Sequence, residues 1–293
     1  MLSSINKLKN KLKNLAKKPI KVLFIEQSLE IDKAKKMLSQ DTLINIVDLS
    51  SFKTPEIINE CEEIWYELRK LKGESRNDAQ IAVNDNLNFA VCLSYLKKID
   101  VLIVGANLSS KTCFSSILKI LKNPNGSIAY STMVMINKRE LIFMSDCALN
   151  LNLNKQQMID AAKYSCTISR NYFDVLNNHV GYISYLSQND VIYQNKNFDF
   201  IGPIQFDAVV DLKVRNKKVP NIHQYHINHY VFDNISIANT VFKIYQTKLN
   251  YLTVGTYISN ILTKVSVISR SASSDEIIAT TYLLCVAFLT DLT

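Results

Sequence analysis

The chain holds little glycine and little proline, six and five in 293 residues. All-β folds built from many tight turns need both, so that class is disfavoured. Arginine is scarcer relative to its alternative. It supplies only six of the 34 basic residues (Arg69, Arg76, Arg139, Arg170, Arg215 and Arg270), and lysine supplies the rest. With abundant Asn and Ile, this reads as a bias toward A·T-rich codons, which puts lysine wherever charge is merely solvated. The formal charge of +8 is therefore poor support for a nucleic-acid partner. The lysines are spread along the chain, and no aromatic-plus-arginine platform accompanies them. In such a background an arginine is expected where its planar fork is needed.

Long apolar runs are missing too. The N-terminus lacks the run of a signal peptide, and residues 277–292 are too short and too interrupted by Thr to span a bilayer. Leu2, Ile5, Leu8, Leu12 and Leu15 recur at helical spacing among lysines. A docked first helix ending at Pro19 is favoured over a membrane-surface helix. The six cysteines show no metal or redox spacing, which points to small buried hydrophobes in a reducing, cytoplasmic setting.

What is present is an ordinary globular hydrophobic fraction of 47% and an alternation of elements. Strands are predicted over 20–25, 43–47 and 100–104. Helices are predicted over 29–39, 56–71, 78–98 and 109–121. This alternation implies a parallel sheet with helices on its faces. The turn cluster Asn123-Pro124-Asn125-Gly126 marks a domain boundary. Beyond it the pattern predicts a hairpin over 127–137 and 140–146, a helix over 155–176 and a strand over 180–185. A polar loop over 189–199 follows, then a strand ending at 229–232 and helices beginning at Ser236 and Ser274.

Three constellations could carry chemistry. Ser269-Arg270 precedes Ser273, Asp275 and Glu276, so a hydroxyl-rich loop enters a helix with acids in its first turn. The acids could simply suit the helix N-terminus, or Arg270 could hold an anion with a carboxylate in general-base range. His223, His226 and His229 have a spacing that a helix would gather for a metal, but the segment reads as loop into strand, and no metal is expected. Val101-Leu-Ile-Val-Gly-Ala-Asn107 is a strand running into a small-residue turn, where α/β sheets place phosphates.

Several segments together resemble the phosphate acetyltransferase/butyryltransferase family. They are Tyr66-Glu-Leu-Arg-Lys-Leu-Lys-Gly73, the strand–Gly-Ala–helix segment from Val101 to Lys119, and Ser145-Asp-Cys-Ala-Leu-Asn-Leu-Asn152. Gly202-Pro-Ile-Gln-Phe-Asp-Ala-Val-Val210, residues 239–244 and Ser269-Arg270 continue in the same order. The resemblance implies two α/β/α domains, each with a mostly parallel sheet, and an interdomain cleft. The expected division is 1–122 plus 266–293 against 123–265. It further implies a homodimer that interconverts acetyl-CoA plus phosphate with acetyl phosphate plus CoA, by direct attack of the CoA thiolate. CoA enters as substrate, and no cofactor or metal is implied.

Carried over by resemblance, Arg270 holds the phosphoryl group, Ser269 is an oxyanion donor and Glu276 is the general base, with Asp275 where the family has Glu. Arg69 matches an arginine near the anionic substrates. Other positions depart from the family pattern. A second family arginine falls on Ser115, and the family's Ser-Tyr-Ser-Thr-Lys-Gly-Ser loop becomes Ser184-Tyr-Leu-Ser-Gln-Asn-Asp190, without its lysine and glycine. Ser115, Ser184 and Ser187 remain as candidate substrate contacts. These departures leave two alternatives: a weakened or inactive member that binds CoA in a regulatory role, or an enzyme preferring butyryl or another acyl group.

Overall fold

The computed structural model describes residues 2–186, 191–194, 197–219 and 225–291. Its strands begin with β1 (Ile20–Phe24), β2 (Ile44–Val47), β3 (Val101–Val104), β4 (Tyr130–Ile136), β5 (Leu141–Ser145) and β6 (His179–Ile183). They continue with β7 (Val191–Gln194), β8 (Asp199–Ile204), β9 (His229–Val231), β10 (Leu252–Ser259) and β11 (Lys264–Val267). The fold is mixed α/β, and the chain divides into two units. One takes Ile5–Ala129 and the chain from Gly255 onward; the other takes Tyr130–Val254 and the N-terminal tip up to Ser4.

The unit beginning at Ile5 is built on a four-stranded sheet in the order β11-β3-β1-β2, with every pairing parallel. All four residues of β3 are buried, as an unbroken Val-Leu-Ile-Val run requires of a strand covered on both faces. The covering helices have legible N-caps. Ser28 caps Leu29–Leu38, Thr54 caps Pro55–Arg69, Ser109 caps Ser110–Ile120 and Ser273 caps Ser274–Thr290. The helix predicted over 78–98 is in fact two, Arg76–Val83 and Asn86–Tyr95. Asp85 makes the break, because its side chain accepts from the amides of Leu87 and Asn88 and starts a new helix. In the first helix, Leu2–Leu15, Leu8 and Leu12 are fully covered, as docking requires. Among the described residues no helix is long and apolar enough to cross a membrane.

The other unit carries the strands β4-β5-β9-β6-β8-β7, in that order, of a seven-stranded sheet. The run β5-β9-β6-β8 is parallel, while β4 pairs antiparallel with β5 and β7 with β8. Its core includes Met135, Ile142, Met144, Ile204, Tyr230 and Phe232. The long helix Lys155–Phe173 ends where Asp174 turns left-handed at φ +58°. The predicted loop over 189–199 instead contains β7 and leads into β8. Pro203 inside β8 hid that strand from the pattern, because proline ordinarily argues against strand interiors. Gly202 is required beside it: φ is +134°, and a Cβ would stand 2.6 Å from the Tyr182 carbonyl oxygen.

Candidate functional site at the carboxyl edge of the four-stranded sheet

In an open parallel sheet the loops after the strands gather along one edge. Beyond β11, the amide of Ile268 still donates to the Val104 carbonyl at 2.8 Å, so the next residues leave alongside the turn after β3. Gly105 permits that approach. At φ +103°, its missing Cβ would lie 2.7 Å from the Ile268 carbonyl oxygen. Ser269 and Arg270 follow. The Ser269 hydroxyl pairs with that of Ser271 at 2.9 Å. Arg270 is exposed, and its guanidinium makes no hydrogen bond or ion pair among the described residues.

Four other arginines are engaged. Arg69 binds Glu74 at 2.9 Å, Arg76 binds Glu63 at 2.5 Å, and Arg170 reaches the Asn197 carbonyl at 3.3 Å. Arg215, 2% exposed, donates to the carbonyls of Ala208, Val209 and Tyr225 at 2.6–2.7 Å. Burial depresses its pKa, and the carbonyls cradle the charge.

Glu276 is 7% exposed and sits in the capping box of the helix Ser274–Thr290. Its Oε2 accepts from the Ser273 amide at 2.8 Å and the Ser273 hydroxyl at 3.3 Å. The acid therefore caps the helix, six residues beyond Arg270 in sequence. Asp275 is exposed.

The Gly-Ala turn after β3 differs from expectation. Its amides do point together as an anion site would, but the Glu26 carboxylate already occupies them. Gly105 and Ala106 donate to Oε2 at 2.5 and 2.8 Å, and Asn107 and Leu108 both donate to Oε1 at 2.8 Å. Pairing of β1 with β3 brings Glu26 there. The signal available in sequence was an acid directly after a buried strand. Beside it, at the ends of β1 and β2, lies a cleft of about 410 Å³ whose lining includes Phe24, Val47, Asp48, Lys35, Lys53 and Asn86.

Arg69 ends the helix Pro55–Arg69, and its partner Glu74 also accepts from the Trp65 indole at 2.6 Å. Burial works upward on the Glu74 carboxyl, but these two donors hold it below the usual carboxylate range. Ser115 is exposed on the helix Ser110–Ile120.

In the other unit, Ser184 directly follows β6, and its amide donates to the Ile204 carbonyl at 3.1 Å. Nearby, the Tyr182 hydroxyl donates to Asp233 at 2.7 Å. Ser187 lies outside the described residues, as does His223. Asp146, 2% exposed, accepts from the amide and hydroxyl of Ser131 and from the amide and side chain of Asn150. His229 is a core residue. Its Nδ1 pairs with the Ser165 hydroxyl at 2.7 Å and its Nε2 with Asn178 Oδ1 at 2.9 Å, while the ring stacks on Phe143. An amide oxygen can only accept, so Nε2 carries the proton and Nδ1 accepts from Ser165. Among the described residues no His, Cys, Asp and Glu group is arranged to hold a metal.

A family model described as phosphate acetyl/butaryl transferase matches residues 2–285. The phosphate acetyltransferase of Mycoplasma genitalium is 26% identical over 316 positions, covering 94% of this chain and 96% of that protein. That of Mycoplasma capricolum is 25% identical, with 88% and 83% covered. The Helicobacter pylori enzyme is longer: at 24% identity, 80% of this chain matches 48% of it. Among solved structures, a phosphotransacetylase from Streptococcus pyogenes superposes with a TM-score of 0.83 at 19% identity, covering 99% of each chain. The EutD phosphotransacetylase from Staphylococcus aureus gives 0.76 at 22% identity, covering 97% of this chain and 99% of the other. These structures establish the shared fold. Because the family model runs over nearly the whole sequence, the chain belongs to the phosphate acetyl/butaryl transferase family.

Proposed function

We propose that this chain is a phosphate acetyltransferase, interconverting acetyl-CoA and phosphate with acetyl phosphate and CoA. One observation carries the reading: in the Ser269-Arg270 pair, the guanidinium is exposed and unspent in a chain that commits most of its arginines elsewhere. A planar, permanently charged fork of this kind suits bidentate binding of a phosphoryl group.

In the direction of acetyl-CoA formation, the Glu276 carboxylate takes the CoA thiol proton. The thiolate attacks the carbonyl carbon of acetyl phosphate, and a C–S bond forms. The Ser269 hydroxyl donates to the oxyanion; when the intermediate collapses, the C–O bond breaks and phosphate leaves held by Arg270. Ser115, Ser184 and Ser187 are proposed as substrate contacts by family correspondence. The protein is proposed to act in the cytoplasm as a homodimer.

A second reading, a member that binds CoA without turnover, is favoured by the shortage of free cations: Arg69 is held by Glu74, and Ser115 carries no charge. Release of CoA from acetyl-CoA that depends on added phosphate supports the enzyme. Calorimetric binding of CoA with no such release supports the second reading. Butyryl-CoA in the same assay measures acyl preference.

A further inference from the structure

A second cleft lies away from Ser269 and Arg270, and all of its lining belongs to the unit beginning at Ile5. It encloses about 380 Å³ between the first helix, residues 40–42 and the helix Ser274–Thr290. Residues 40–42 lead into β2 and so stand at the amino ends of the strands. One four-residue strand, about 13 Å, separates them from the edge where the chain leaves β11 toward Ser269. The cleft shares no lining residue with the one beside the Gly105 turn.

Its walls differ in character. Lys9 and Lys13 stand one turn apart on the first helix, directly after Leu8 and Leu12, whose full burial holds that helix in place. Ile278 and Tyr282, also one turn apart and buried, form an apolar floor, and Met37 supplies an adaptable lip. Gln40 and Thr42 add neutral polar groups at the rim.

The charges are not matched. The first helix carries four lysines and no acid, so neither Lys9 nor Lys13 has a carboxylate one turn away on its own helix. The one acid in the lining is Asp41, and both of its oxygens are engaged. Oδ1 accepts from the Leu43 amide and Oδ2 from the Tyr282 hydroxyl, each at 3.0 Å. Burial and the bond to Asp41 push the tyrosine pKa up, so its hydroxyl stays a neutral donor. Lys9 lies over the Tyr282 ring at 5.0 Å, and Lys13 makes no hydrogen bond or ion pair among the described residues. The acid is satisfied by the fold, and the two ammonium groups are what the cleft offers a ligand.

We propose that this cleft is a second ligand site, for a small phosphomonoester. Lys9 and Lys13 hold its phosphate, and its organic body lies on Ile278, Tyr282 and Met37. Ammonium groups are compact charges with rotatable donors, which suits a tetrahedral dianion; the planar fork that selects a flat carboxylate is absent from the lining. The volume falls in the range of small-molecule pockets and exceeds what a bare phosphate fills. The inference rests on the cleft alone and not on the acyltransferase reading.

The test uses the intact protein and amine-reactive labelling read by mass spectrometry, with phenyl phosphate, succinate and inorganic phosphate as separate probes. Phenyl phosphate is expected to protect Lys9 and Lys13 but not the exposed Lys17 and Lys18, while the other two probes at the same concentration protect none of them. Calorimetry in the Arg270→Ala background, which removes the other candidate phosphate ligand, is expected to retain phenyl phosphate binding. Adding Lys9→Gln and Lys13→Gln, with folding checked by circular dichroism, is expected to weaken it at least tenfold. Equal protection of Lys17 and Lys18, or by inorganic phosphate, shows an unspecific anion patch and overturns the inference. Equal protection by succinate overturns the ligand class, and unchanged affinity in the lysine variant overturns the site. None of these readouts is turnover, so the acyltransferase reading stands or falls separately.

Discussion

Replacing Glu26 by Gln keeps the side chain's shape and removes one acceptor oxygen and the charge. The carboxylate serves four amides, two on each oxygen. A glutamine can serve only two, and its NH2 must face the other pair. The oxygen should stay with Gly105, the buried member, leaving Asn107 and Leu108, which are exposed and half-buried, to turn to water. A hydrogen bond to a charged group contributes about 1.5–3 kcal/mol. Four would sum to about 6–12, but water replaces the two outer ones and two inner ones survive in weaker, neutral form. The expected loss is about 1.5–3 kcal/mol. Trp65 is the sole tryptophan, buried in the same unit, so its fluorescence in a urea titration reports the relevant transition. The Gly105 turn also backs the Ile268 carbonyl, so turnover should fall along with stability. A change under about 0.5 kcal/mol, within the range of an ordinary surface substitution, would refute the role assigned to Glu26.

Two predictions concern the other unit. Burial, with the nearby His179 and Arg170 charges, pushes the His229 pKa from 6.5 down to about 3. The native state therefore resists a proton that the unfolded chain accepts. Stability is fully present above pH 6.5 and falls by about 1.4 kcal/mol per pH unit as pH drops from there toward 3. His229→Gln should remove that slope, and chemical denaturation at pH 7 and pH 5 compares the two proteins; identical slopes would sink the idea. Arg215→Lys replaces a fork that reaches three carbonyls with a single ammonium, and should destabilise this unit by about 2–4 kcal/mol in denaturation followed by circular dichroism. A loss under about 0.5 kcal/mol would show that the fork is dispensable.

The first half of the chain was legible because each strand is a short β-branched run with polar residues at its ends, and the helices starting at Leu29, Pro55, Arg76 and Ser110 follow a Ser or Thr cap. The single helix over 78–98 failed as a reading because Asp85 looks like any exposed acid until its side chain is seen starting a second helix. Past residue 185 the signals conflict: Pro203 sits inside β8, and β10 carries Gly255 within a run that is buried throughout. Scarcity drew attention to arginine, yet Arg215 spends its fork on carbonyls and Arg69 on Glu74, so rarity alone does not separate a ligand-binding arginine from a structural one. Glu26 escaped notice for a topological reason. It stands 79 residues from Gly105, and only the pairing of β1 with β3 makes them neighbours.

The central claim is that Arg270 holds the phosphoryl group of an acyl-transfer reaction. Phosphate-dependent CoA release should be measured on the wild type and Arg270→Ala side by side, across a range of phosphate concentrations. Loss of a charged ligand to the transferring group should cut kcat/KM for phosphate by about 10²–10³, roughly 3–4 kcal/mol of transition-state stabilisation. Equal kcat/KM in the two proteins would remove Arg270 from the mechanism and contradict the account.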